Sequence, residues 1–391
     1  MKLDIVIFGL SITSSWGNGH ATTYRALIKA LAQRGHRITF LERDTAWYRE
    51  HRDMPSAPYC RIELYDSLKD VPQRYARIIK SADIVVLGSF VPDGAILGDW
   101  ITSTARGVTA FYDIDTPVTL KRLEAGDGGY ISPTIIPRFD LYLSFTGGPT
   151  LQLVERMYGS PRARALYCAV DVDRHAPVDV AEKWTIGYLG TYSEDRQPLL
   201  QRLLIEPARR LPDDRFVVAG AQFPQDLRWP PNVEHFEHLA PGAHSGFYCS
   251  QRYALNLTRA DMAARGYSPS VRLFETAACG VPVISDRWSG IETFFCPDRE
   301  ILIADSPNDV LRILRELQDA ERREIAAAAR ARLLKEHTAE HRAIQFEQYV
   351  DEVISEPRAR QRSARAGRSR QTMRVATDEA PVVRTNGGIA G

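Results

Sequence analysis

Cysteine is scarce in this 391-residue chain. Cys60, Cys168, Cys249, Cys279 and Cys296 are odd in number, far apart and without a CxxC pair. That spacing excludes a disulfide framework and a cysteine-based zinc site, and it points to reduced thiols in a cytoplasmic setting. No stretch reaches the roughly 18 apolar residues that span a bilayer. The opening Met-Lys-Leu-Asp-Ile-Val-Ile-Phe is too short an apolar run for a secretory leader and reads as a strand. A soluble protein is expected. Net charge is nearly absent too, at +1, but this hides a split. Residues Pro357 to Gly391 hold eight Arg and two acidic residues, net +6, which leaves −5 on the rest. A mildly acidic body gives no support for nucleic-acid binding. The tail has no aromatics and is rich in Arg, Ser, Gly and Ala, so it reads as disordered. Its arginines could give weak peripheral contact with an acidic membrane, although a solvated tail is the plainer reading.

What is present suffices for two cores: 44% of the residues are hydrophobic. Short β-branched runs alternate with helical segments. Strands are expected over Leu3 to Phe8, His36 to Leu41, Ala82 to Leu87, Val108 to Tyr112, Leu141 to Phe145 and Leu166 to Asp173. The polar stretch broken by Pro177 reads as a hinge. A second set begins at Trp184, with strands at Ile186 to Leu189, Phe216 to Ala219, Ala254 to Leu257 and Val281 to Ile284. A helix is expected over Pro198 to Arg210. The fold class is α/β, two Rossmann-like doubly wound domains facing a cleft lined by the carboxyl ends of both sheets. The expected division is 1–175, 176–337, a final helix within 338–356, and the tail from 357.

Residues 268 to 285 are the most informative stretch. Ser268 suits an N-cap, Pro269 a first helical position and Gly280 a left-handed stop. Within the helix Arg272, Glu275, Thr276 and Cys279 share one face, and apolar residues cover the rest. A carboxylate set into such a helix needs a partner. Either Arg272 and Glu275 pair internally or Glu275 serves a ligand.

The string Phe274-Glu275-Thr-Ala-Ala-Cys-Gly280-Val-Pro282-Val-Ile resembles the signature helix of GT-B glycosyltransferases in the broad family 4 group. Tyr267-Ser-Pro-Ser-Val-Arg272-Leu-Phe-Glu275 is closer still to the CgeB-type, spore-maturation-like members. The resemblance implies that Glu275 binds the ribose hydroxyls of a nucleotide-sugar donor, with Ser270 and Arg272 beside it. Family 4 enzymes often carry a second Glu eight positions earlier, against the donor sugar; this chain has Tyr267 there. The segments Asp113-Ile-Asp-Thr-Pro, Leu143 to Thr150 and Glu336 to Arg342 are similar to the same group. The resemblance further implies a C-terminal helix that returns to the first domain, and catalysis without a metal.

Other loops carry candidate chemistry. In Ser14 to His20, Gly17 and Gly19 let backbone N–H groups meet a ligand at a helix N-terminus, or simply make a tight turn. His20 is either a cleft residue or a solvated one. Gly190, Thr191 and Arg196 repeat the strand–glycine–helix pattern and suit a diphosphate, as the resemblance implies; a surface Arg196 beside Asp195 is the plain alternative. Arg259 could add charge there. Asp113 and Asp115 follow a central strand and are candidates for acceptor binding or acid–base work, or caps on the next helix. Thr146, Gly147 and Gly148 form a further acceptor-side loop. His235, His238 and His244 lack reliable metal-ligand spacing, and no metal site is expected.

These readings converge on transfer of a sugar from a nucleotide-diphosphate donor to an unidentified glycan, lipid or protein acceptor. The catalytic candidates are His20, Asp113 and Asp115. No cofactor beyond the donor is expected. Two alternatives stay open: a non-hydrolysing UDP-sugar epimerase of the same fold, and a non-catalytic nucleotide-sugar-binding protein.

Overall fold

Runs such as Ile84-Val-Val-Leu and Phe216-Val-Val-Ala are satisfied only where both faces are covered. In the computed structural model, which describes residues 2–356, they lie inside two parallel sheets. The first has seven strands in the order β3-β2-β1-β4-β5-β6-β7. These are β1 (Asp4–Gly9), β2 (Arg37–Arg43), β3 (Arg61–Tyr65), β4 (Ile84–Gly88), β5 (Val108–Asp113), β6 (Leu141–Ser144) and β7 (Ala163–Ala165). The second has six, in the order β10-β9-β8-β11-β12-β13. They are β8 (Trp184–Leu189), β9 (Phe216–Ala219), β10 (Val233–Phe236), β11 (Gln251–Asn256), β12 (Val283–Ser285) and β13 (Leu302–Ile303). Each order reverses beside the first strand of its sheet, between β1 and β4 and between β8 and β11. Open α/β sheets bind ligands at the carboxyl end of such a switch point.

Three local expectations are corrected. The run Leu166 to Asp173 is not a strand. It is largely buried, but its carbonyls go to the last helix, Ala339–Ile354: Val170 O accepts from the Ala339 N–H and Cys168 O from Arg342. The signature helix spans Val271–Ala278 and is capped by Ser270, whose hydroxyl accepts from the Arg272 N–H; Ser268 is not its cap. Ser268 instead meets the Thr146 hydroxyl at 2.9 Å. The helix expected over Pro198 to Arg210 contains a π-turn at Gln201–Ile205, immediately before Pro207 removes a backbone donor.

Thr338 caps the last helix, which packs on the first lobe. Glu347 there accepts from Arg34 and lies 2.7 Å from His36, and the Tyr349 hydroxyl donates to Ala165 O. Arg342, 1% exposed, lies over the Tyr167 and Phe274 rings and binds the linker and signature helix together. Among the described residues no helix is long and apolar enough to cross a membrane. The expectations for the Arg-rich tail fall outside the described residues.

Candidate functional site

The loop after β1 is shaped by a buried carboxylate. Glu42, fully enclosed on β2, accepts from the Ile12 and Thr13 N–H groups and from the Ser11 and Thr13 hydroxyls. Asp53 accepts from Ser15 and from both ends of the Arg25 guanidinium. Burial would raise the Asp53 carboxyl, but Arg25 and Ser15 bring it down to about 2. A loop so fastened delivers Asn18 as the N-cap of helix Gly19–Gln33, its side chain accepting from the His20 N–H. His20 Nε2 then stands 3.3 Å from Asp115 Oδ2. Asp115 occupies the N-cap position of helix Thr116–Glu124 without capping it, so its carboxylate is turned to the histidine. Burial works to raise this carboxyl, and His20, with Arg259 and Arg196 nearby, outweighs burial and keeps it ionised below the usual range.

Asp113 lies elsewhere. It is completely buried, accepts from the Tyr142 and Thr119 hydroxyls, and does not line the cleft. Burial raises its carboxyl to about 6 despite those bonds. Its placement is that of a core acceptor fastening β5 to β6. Thr146, Gly147 and Gly148 also stand off the cleft, at a contact between lobes. Thr146 meets Ser268, and the Gly147 N–H donates to Tyr267 O. The Tyr267 ring fills the space beside Gly148 and Gly290, where an added Cβ would stand 2.5 and 2.4 Å from ring carbons. Tyr267 therefore wedges the lobes and does not face the cleft.

In the second lobe, Gly190 follows β8 where side chains crowd in. A Cβ there would lie 2.6 Å from both Arg272 Nη2 and Tyr188 Oη. Arg272 is 6% exposed, stacked 4.6 Å above the Tyr188 ring, with Nε donating to Leu189 O and Nη1 to Asn256. It makes no pair with Glu275. Arg196 donates to Thr191 O, and its Nε is buried without a hydrogen-bond partner. Desolvation, with Arg272 and Arg259 close by, makes its charged form costly, the condition of a cation awaiting an anion. Asp195 lies with Arg259 and accepts from the Ala260 N–H, leaving Arg196 turned inward.

Glu275 is 3% exposed yet lines the cleft. Tyr248 donates to its Oε2 at 2.9 Å, and His175 Nε2 is 3.6 Å from its Oε1. Burial pushes the carboxyl up, but His175, His244, Tyr248 and Arg272 outweigh it and hold the group ionised. His175, His244 and Glu275 bring three ligand atoms within 4.8 Å of one another, a spacing a cation could draw together. Arg272 opposes that, since its guanidinium already acts on the same carboxylate.

Gly17, Gly19, His20, Asp115, Gly190, Thr191, Arg196, Arg259, Ser270, Arg272 and Glu275 thus face one cleft of about 500 Å³ between the lobes. That volume suits a nucleotide-sized ligand. His175, Tyr248, Tyr188 and Asn256 were missed from sequence, because each acts through a partner far along the chain. Of the histidines grouped by sequence, His238 lies 4.3 Å from the Trp16 ring across the cleft mouth, and only His244 approaches Glu275.

Comparison with known proteins agrees with this architecture. A family described as glycosyl transferase-like matches residues 196–348. No curated protein matches the chain. Among solved structures it is similar to sucrose-phosphate synthase from Thermosynechococcus elongatus, 14% identical with a TM-score of 0.67. It is also similar to Anabaena HepE in complex with UDP and glucose, 12% identical with a TM-score of 0.66. A third is an alpha-glucosyltransferase in complex with UDP and a 13-mer DNA, 12% identical with a TM-score of 0.67. Each comparison covers 90% of this chain and 100% of the other. At such identities the likeness establishes the fold, which is GT-B.

Proposed function

We propose that this chain is a glycosyltransferase moving a sugar from a nucleotide-diphosphate donor to an acceptor hydroxyl. The observation that carries the proposal is Glu275, an ionised carboxylate kept in a nearly dry wall of the cleft with one neutral hydrogen-bond donor. Such a group is costly unless a ligand completes its bonding, and two pentose hydroxyls would do so. Arg196, Arg259 and Arg272 then face the diphosphate and stabilise charge on the leaving group, with Gly190 and Thr191 supplying backbone. Three guanidiniums provide the positive charge that such a step needs, so the mechanism calls on no metal. Opposite them, the acceptor hydroxyl gives its proton to the His20–Asp115 pair as it attacks the sugar. The glycosyl–oxygen bond to the diphosphate breaks as the new one forms.

The Tyr267–Glu275 string supports the CgeB-type group related to family 4 as the finer placement. Five unpaired cysteines support a cytoplasmic setting, and the passage of the chain from the first sheet at β7 to the second at β8 supports a lobe boundary near residue 175. Calorimetric titration with UDP, GDP, ADP and dTDP tests the donor site. Glu275→Gln is expected to weaken the best of them at least tenfold while the protein still melts cooperatively, each charged hydrogen bond carrying about 1.5–3 kcal/mol. Unchanged affinity would overturn the assignment.

A further inference from the structure

The linker between β7 and β8 places an imidazole beneath the donor carboxylate. His175 has a side chain 1% exposed, and neither ring nitrogen has a hydrogen-bond partner. Its backbone has little freedom. The His175 N–H donates to Asp171 O, the Asp171 carboxylate accepts from Lys29 of the first lobe, and Arg174 O accepts from Ser245 of the second. A buried ring nitrogen without a partner thus faces, at 3.6 Å, the Glu275 oxygen that Tyr248 does not take. A bare buried nitrogen is expensive, and closing that gap to hydrogen-bond distance would relieve it. His244, 6.1 Å from His175 ring to ring, has its own unpartnered Nδ1 and leaves this approach open.

We propose that His175 is a positioning residue for the donor site. Donating from Nε2 to Oε1 while Tyr248 donates to Oε2, it fixes the carboxylate plane so that the remaining lone pairs face the cleft. Those lone pairs receive the two pentose hydroxyls. The inference rests on the donor reading above, and it makes a linker residue part of ligand recognition.

The test uses the full chain and calorimetry with UDP, GDP and ADP, each beside its 2′,3′-dideoxy counterpart. For whichever ribonucleotide binds, His175→Ala should lower affinity about tenfold and change the dideoxy affinity less than about twofold. His175→Gln, which keeps an N–H donor, should restore part of the loss and carries the test if the alanine variant does not fold. Equal weakening of both ligands by His175→Ala, or weakening of neither, overturns the inference. Glu275→Gln separates the two levels: if it selectively weakens the ribonucleotide, the donor reading stands whatever His175 does. If Glu275→Gln has no effect, or no nucleotide binds, the donor reading fails and the inference fails with it.

Discussion

Adding one methyl group at Gly190 isolates the diphosphate subsite. In Gly190→Ala the new carbon would stand 2.6 Å from Arg272 Nη2 and from Tyr188 Oη, against the 3.4 Å or more of ordinary contact, so both must move by about 0.8 Å. Nε and Nη1 of Arg272 are committed to Leu189 and Asn256, and the ring below blocks retreat. The guanidinium therefore swings as a unit, and Nη2 leaves the cleft wall. Loss of one charge-assisted bond to phosphate costs about 1.5–3 kcal/mol, roughly ten- to 150-fold in affinity. Overpacking adds a separate stability cost of about 1–3 kcal/mol. Titrating a nucleoside diphosphate and the parent nucleoside into both proteins distinguishes the two effects. The diphosphate should lose affinity and the nucleoside should not. Equal loss for both ligands would place the damage in the general fold and refute the reasoning.

Two further outcomes are expected. Asp115→Asn should leave nucleotide affinity intact and lower turnover about 10²- to 10⁴-fold, measured as nucleoside diphosphate released with acceptor-containing extract. At the far side of the first lobe, a hydrogen bond from Arg34, aided by His36, draws the Glu347 carboxyl from 4.5 to about 2. The stabilisation is therefore complete above pH 4.5 and is lost as pH falls toward 2. Circular dichroism melts between those limits should show the loss, and Glu347→Gln should flatten it.

Strands with both faces buried were legible in the sequence because β-branched runs have few other fates. The edge strand Arg61-Ile-Glu-Leu-Tyr was not, since its residues are half exposed and the run is short. Leu166 to Val170 misled for the opposite reason: apolar burial came from a helix 170 residues later, not from a sheet. Cleft-lining residues were legible where glycine, arginine and carboxylate followed a strand, as at Gly190, Arg196 and Asp115. The side chains that tune them were not. Tyr248 reaches Glu275 from 27 residues away and His175 from a hundred, and no spacing rule records such meetings. Asp113 shows the converse, a motif position whose next-but-one neighbour faces the cleft while it faces the core.

The lobes touch at both margins of the cavity, through Tyr267 wedged beside two glycines on one side and Trp16 against His238 on the other. Any swing of one lobe against the other must break aromatic packing at these edges, so the two rings contribute to what such a motion costs.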